Sequence, residues 1–314
     1  MKKTCLLYVS VFLGFAVCLT ALLAALWPSR PDTQPPRPPL AFRLTGAAPG
    51  ALFAAGFLTL AFAAADSFRM KLAERARVAR SVAGERPEDG RKIAAAGTLV
   101  MDGPALMAPF GGTPCAAYHY RIERVTRGKS STTMTSCWGY ALTPSHVETP
   151  AGLVRLLAFT DFDFPATQMT GAGMLERARR YFATTQFTTI GLGAIASAWR
   201  ELGGVLADDD GAIKTDFGPP PADLEDPSLI FQEQVLCDRE AICAFGTYSA
   251  ARGGLVPVPG TREVFSVRVA KGTGTEVHRK LVWTVVGQGV LALVFAGVGA
   301  GIVFALVRFG AAFR

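Results

Sequence analysis

The chain has 314 residues, half of them hydrophobic, with a mean hydropathy of +0.29, a formal net charge of +7 and a pI of about 9.3. Such hydropathy is unusual for a soluble protein of this size. A basic excess beside apolar stretches fits an anionic membrane surface rather than nucleic acid, which would need a basic patch interleaved with aromatics. No asparagine is present, which excludes N-linked glycosylation, and none of the six cysteines has the Cys-x-x-Cys spacing of a zinc site or dithiol motif. The Ala-, Gly- and Arg-heavy usage is associated with GC-rich bacterial genomes.

In chain order, residues 1–27 read as a first membrane helix. Behind Met1, Lys2 and Lys3 runs an uncharged apolar stretch over 5–27, longer than the ~7–15 residues of a signal-peptide core and near the ~20 needed to span. A loop at 28–43 follows, in which the proline-rich link from Pro28 to Pro39 cannot be helical. Residues 44–66 read as a second span, rich in Ala and Phe and closed by Asp66. A third span, 281–307, holds Gln288 as its one strongly polar side chain, and a tail of 308–314 follows. In it Gly297 and Gly301 form a Gly-x-x-x-Gly pair. That spacing serves helix packing, although glycine is also simply common in membrane helices.

Residues 67–90 form a basic juxtamembrane helix and linker. Arg69, Lys71, Arg75, Arg77 and Arg80 follow span two, and Arg279 and Lys280 precede span three. These seven are the expected contacts with anionic headgroups, each worth about 1 kcal/mol near the surface. They outweigh Arg30, Arg37, Arg43, Arg308 and Arg314 on the opposite side, so the positive-inside rule places the N-terminus and the central domain in the cytoplasm, under a bacterial inner membrane.

The central domain, 91–272, has a β texture. Strands are expected at 92–100, 116–125, 132–142, 153–159, 234–235, 241–248 and 264–269. The second alternates best, with Tyr118, Tyr120 and Ile122 on one face and His119, Arg121 and Glu123 on the other. An insert follows: an amphipathic helix at 173–184, a more apolar one at 190–206 and a loop at 207–223. The fold class expected is a membrane protein with three transmembrane α-helices plus a mainly β (α+β) soluble domain, a small, partly open β-barrel with a helical insert.

Candidate chemistry is sparse. Cys115 and His119 as nucleophile and base stand too far apart along one strand to bond directly. His119 itself is expected to be exposed. Asp208, Asp209 and Asp210 lack the spaced ligands of a calcium loop and read as a solvated turn. Asp161 and Asp163 alternate with Phe162 and Phe164 as a strand end with a wet face. The glycine run at 191–196 mimics a dinucleotide fingerprint but has no βαβ unit around it. No catalytic residue, cofactor or metal ligand is assigned.

The run Gly97-Thr98-Leu99-Val100, then Leu106-x-Ala108-Pro109-Phe110-Gly111-Gly112-x-Pro114-Cys115-x-x-Tyr118-x-Tyr120, resembles the opening of the GIDE domain. This is the "beside a membrane" domain of the mitochondrial ubiquitin ligase activator family and its prokaryotic relatives. Residues 151–154, Phe231-x-Glu233-x-x-Leu236 and Ala241-x-Cys243-Ala244-Phe245-Gly246 are similar to its later strands. The motif residues are thus Pro109, Pro114, Cys115 and Tyr118, and the resemblance implies that Pro114-Cys115 opens a buried strand. The eukaryotic ligases carry a RING cluster of cysteines and histidines, and these 314 residues hold none, so ligase chemistry is not carried over. The resemblance implies a membrane-anchored, non-catalytic scaffold with a membrane-protein partner or self-association. The alternatives are a RING-less ligase relative acting in trans, and an enzyme subunit with a site between barrel and insert.

Overall fold

A computed structural model describes residues 2–25, 40–126, 132–187, 212–256 and 267–309. The chain divides into two compact units, Met1–Arg75 with Lys280–Arg314, and Ala76–Arg279.

In the first unit, α1 (Lys2–Ala25) runs antiparallel to α2 (Leu40–Val82): Tyr8 meets Phe62 edge-on and its hydroxyl donates to Asp66 at 3.4 Å, while Leu19 packs on buried Ala51. The last helix, α4 (Gly274–Phe309), meets α2 through Phe57 and Phe295, with ring centroids 6.2 Å apart. Glycine allows the approach at Gly299, where an added Cβ would lie 3.1 Å from Leu58, and at Gly289, where it would lie 3.3 Å from Phe68. An added Cβ at Gly297 or Gly301 would meet nothing, so the close approach within this chain uses the glycine between them.

Among the described residues two helices are long and apolar enough to cross a membrane, Pro49–Val82 and Gly274–Ala305. Within α1 (Lys2–Ala25) the apolar stretch among the described residues is Ser10–Ala21, so a third spanning helix is not shown there. The three-span expectation is therefore corrected to two candidate spans among the described residues. Helix α2 also continues past residue 66 without a break, so the basic segment extends the span's own helix. It ends in a Schellman motif. Gly84, at φ 75°, donates to Ser81 O, and Glu85 donates to Arg80 O, which satisfies carbonyls the last turn leaves open.

The second unit holds fourteen strands among its described residues. Five of them close a ring: β1 (Lys92–Met101), β6 (Ser145–Thr149), β7 (Gly152–Leu156), β13 (Gly254–Val256) and β12 (Ala241–Ser249), which returns to β1. The partly open barrel is thus corrected to a closed five-strand barrel. Closure rests on the long β1–β12 ladder from Lys92↔Thr247 to Thr98↔Ala241, and it removes the free edges an open sheet would expose. Strand β12 also pairs with β14 (Val267–Lys271), beyond which lies β8 (Thr160–Phe162).

A five-stranded antiparallel sheet accompanies the barrel, in the order β10 (Ile213–Phe217), β5 (Thr132–Leu142), β4 (Ala117–Thr126), β11 (Leu229–Leu236) and β9 (Thr167–Met169). Because side chains alternate along a strand, β4 divides its residues between two cores. Ala117 joins the barrel core with Leu99, Tyr140, Leu156 and Ile242. Tyr118, Tyr120 and Ile122 join Phe110, Met174 and Ala178 under α3 (Ala172–Thr184). The short hairpin β2 (Leu106–Met107) and β3 (Pro114–Cys115) caps that second core.

The 207–223 stretch is not all loop, since Ile213–Phe217 pairs along β5 from Ile213↔Leu142 to Phe217↔Trp138. The expected helix at 190–206, the glycine run at 191–196 and the aspartates at 208–210 lie outside the described residues.

Candidate functional site

The buried carboxylates serve the fold. Asp216, 5% exposed, accepts from Tyr120 Oη at 2.6 Å and from Tyr181 Oη at 2.8 Å, and Tyr118 and Tyr181 share a hydrogen bond of 2.9 Å. Burial pushes the Asp216 carboxyl up, against the opposing pull of the two phenols. Burial likewise raises all three tyrosines. Glu233, 3% exposed, accepts from the amides of Phe110 and Gly111 at 2.7 and 2.8 Å, while Arg177 Nε donates to Phe110 O at 2.7 Å. Burial raises Glu233 too, opposed by those amides.

Residues of the Leu106–Tyr120 run meet at this clamp. Pro109 and Phe110 are buried in the β2–β3 loop, and Gly112 takes a φ of 69° where Arg177 leaves little room for a side chain. Pro114 is exposed, whereas Cys115 is fully buried and its thiol points to Leu106 O at 3.6 Å. Tyr118 belongs to the tyrosine cluster.

Cys115 and His119 do not meet. His119 is half-buried rather than exposed; its Nδ1 lies 3.1 Å from Gln234 Oε1, and burial lowers its basicity. Burial pushes the Cys115 thiol up to about 12, which suppresses the thiolate a nucleophile requires. Asp161 and Asp163 are exposed, Asp163 pairs with Arg268 at 3.4 Å, and burial followed by the Asp163 charge raises Asp161. His146, missed as a partner by sequence reasoning, bonds Asp102 at 2.8 Å. A cleft of about 430 Å³ beside Phe164, Thr167 and Met169 touches Glu233 and Lys271, but Glu233 holds the two amides and Lys271 Nζ holds Glu240 at 2.7 Å.

A second cleft, of about 310 Å³, is different in character. It lies where the last turns of α2, the 83–91 linker, the start of β1 and the β6–β7 turn converge. Arg77, Arg80, Arg86 and Lys92 line it, and none of the four has an ion-pair partner among the described residues. Arg91 is paired with Glu88 at 3.0 Å, leaving Glu85 as the one uncommitted carboxylate. Ser81 also lines it; its hydroxyl accepts from Ala96 N at 2.9 Å and so ties the helix end to β1. Gly84 permits the tight turn because its φ of 75° is one that side-chain-bearing residues rarely adopt.

The cleft gathers two of the seven expected membrane-contact residues, Arg77 and Arg80. Of the rest, Arg69, Arg279 and Lys280 are exposed, and Lys71 pairs with Glu74 at 3.0 Å. Arg86 and Lys92 were missed: the first reads as a helix breaker's neighbour and the second as a strand start, and only the fold brings them beside the helix. No protein-family model, curated protein or solved structure matches this chain.

Proposed function

We propose that the chain is a membrane-anchored, non-catalytic interaction module of GIDE type, which presents its β-rich domain at the cytoplasmic face of a bacterial inner membrane. The observation that carries this reading is the division of polar groups. Interior carboxylates are committed to phenols and amides, whereas the cleft at the end of the helix that continues from a candidate span gathers basic side chains without ion-pair partners among the described residues. A catalytic site commonly keeps an acid, base or nucleophile within reach of a substrate.

Two further features support membrane anchoring. Only 22% and 11% of the apolar windows of the two spanning-length helices are buried, and Phe53, Trp283 and Leu293 are at least 70% exposed. A soluble core helix would hide such side chains. The basic flanks favour the cytoplasmic side for the domain, and the open Gly297 and Gly301 face suits a second apolar helix, from this chain or another membrane protein.

Crosslinking in native membranes, followed by mass spectrometry of the solubilised chain, tests the module reading. It expects crosslinks from the 76–279 unit to a second polypeptide or a second copy. A chain recovered with neither, together with turnover of any substrate, would replace it with an enzyme.

A further inference from the structure

We infer that the cleft between the end of α2 and the β6–β7 turn is a binding site for a phosphate monoester, carried by a lipid headgroup or by a soluble metabolite. This rests on the membrane-module reading and sharpens it, because a diffuse basic surface needs no cleft.

The first argument is charge. Arg77, Arg80, Arg86 and Lys92 converge on about 310 Å³ with no ion-pair partner among the described residues; of the two carboxylates lining the cleft, Glu88 pairs with Arg91 and Glu85 remains to oppose them. Four cations facing one unpaired carboxylate keep a net repulsion, and a bound anion relieves that cost. A phosphodiester offers one negative charge. A monoester offers close to two above its second pKa of ~6, with three strong acceptor oxygens, and so neutralises more of the cluster. Arginine supplies planar forks suited to phosphate oxygens, and lysine a point charge.

The second argument is construction. The three sources of the cationic groups are fixed to one another: Ser81 bonds Ala96 N on β1, Gly84 and Glu85 close the helix end, and Gly90 N and Arg91 O bond Tyr248 on β12. Arg77 and Arg80 therefore project from a helix anchored to the barrel, Arg86 from a linker tied at both ends, and Lys92 from the barrel wall. The Ser81 hydroxyl, which accepts from Ala96 N, also lines the cleft.

One effect works against an anion, since a helix C-terminus carries about half a negative charge. Here the carbonyls of Arg80 and Ser81 are capped by the Glu85 and Gly84 amides. The remaining dipole is smaller than the contribution of a single uncommitted arginine.

The test uses the full chain in phosphatidylcholine nanodiscs. Calorimetric titration with glycerol phosphate, a monoester, is compared with glycerophosphoglycerol, a diester. In a second arm the nanodiscs carry phosphatidate or phosphatidylglycerol, and headgroup binding is read by phosphorus NMR. The inference expects the monoester to bind at least about tenfold more tightly than the diester in one arm, and that arm names the source. R80A and R86A should each weaken it about tenfold or more, the loss of one charge-assisted contact, while R86K retains most of it. R179A, on an exposed arginine paired with Glu225 elsewhere, should change nothing. Near-ultraviolet circular dichroism checks that the variants are folded. Monoester and diester binding equally, both lost at high salt, would overturn the cleft and leave the basic-surface reading standing. Binding of neither would overturn both, and monoester binding unchanged in R80A and R86A would place the site elsewhere.

Discussion

Asp216→Ala removes the acceptor that Tyr120 and Tyr181 share beneath α3. Each hydrogen bond to an ionised carboxylate contributes about 1.5–3 kcal/mol. Tyr181 keeps Tyr118 as a partner at 2.9 Å, whereas Tyr120, fully buried, loses its acceptor. The expected cost is therefore about 2–4 kcal/mol, set by one orphaned phenol rather than two. Asp216→Asn keeps an oxygen in place and should cost under about 1 kcal/mol at neutral pH, because it also relieves the burial of a charge. Thermal unfolding of the full chain in nanodiscs, followed by near-ultraviolet circular dichroism, reads the difference at about 2–4 °C per kcal/mol for a unit of this size. The pH dependence follows from the same burial. A carboxyl whose folded pKa is raised contributes stability below its unfolded value, near ~4, and that contribution disappears as pH rises through the folded value. Asp216 and Glu233 are both raised. The unit should thus lose stability as pH rises from about 4, and Asp216→Asn should flatten part of that slope. Equal losses for the alanine and asparagine variants, or an unchanged slope in the asparagine variant, would refute the reasoning.

Other perturbations probe separate parts of the structure. Gly139→Ala would drive a Cβ into Asp216 Oδ1 and the Tyr120 ring, and should lower stability by about 1–3 kcal/mol in the same melt. Gly299→Val should weaken a Phe57→Cys/Phe295→Cys crosslink between α2 and α4, whereas Gly297→Val should leave it intact. Cys115, Cys137 and Cys243 are buried, and burial pushes the first two thiols up to about 12. They should react with maleimide in the folded chain far more slowly than half-buried Cys237, and equal rates would contradict the packing.

The sequence shows an element where a period runs long enough. The alternation of 116–125 and its partner at 132–142 emerge as β4 and β5, and the amphipathic stretch at 173–184 as α3. Most strands that escaped notice are short: Leu106–Met107, Thr160–Phe162, Thr167–Met169 and Gly254–Val256 contain two or three residues, too few to reveal a period of two, while the five-residue Ser145–Thr149 was missed as well. Ile213–Phe217 was hidden differently. Its Asp216 sits buried where a polar residue signals a loop, and only the two phenols from β4 and α3 make that position tenable. Barrel closure was invisible because β1 and β12 are separated by most of the domain. The cleft was half legible. Arg77 and Arg80 stood out as a helix face, but their convergence with Arg86 and Lys92 depends on the Gly84 turn and on Pro150 beneath it.

The proposed function requires the domain to lie on the cytoplasmic side of the membrane. Ala183, exposed on α3, provides a site away from the cleft and from both buried cores. In a chain with its native cysteines replaced, Ala183→Cys is treated in intact cells with a membrane-impermeant maleimide, before and after permeabilisation. Labelling that occurs only after permeabilisation is the predicted result. Full labelling of intact cells would put the domain outside and contradict the account.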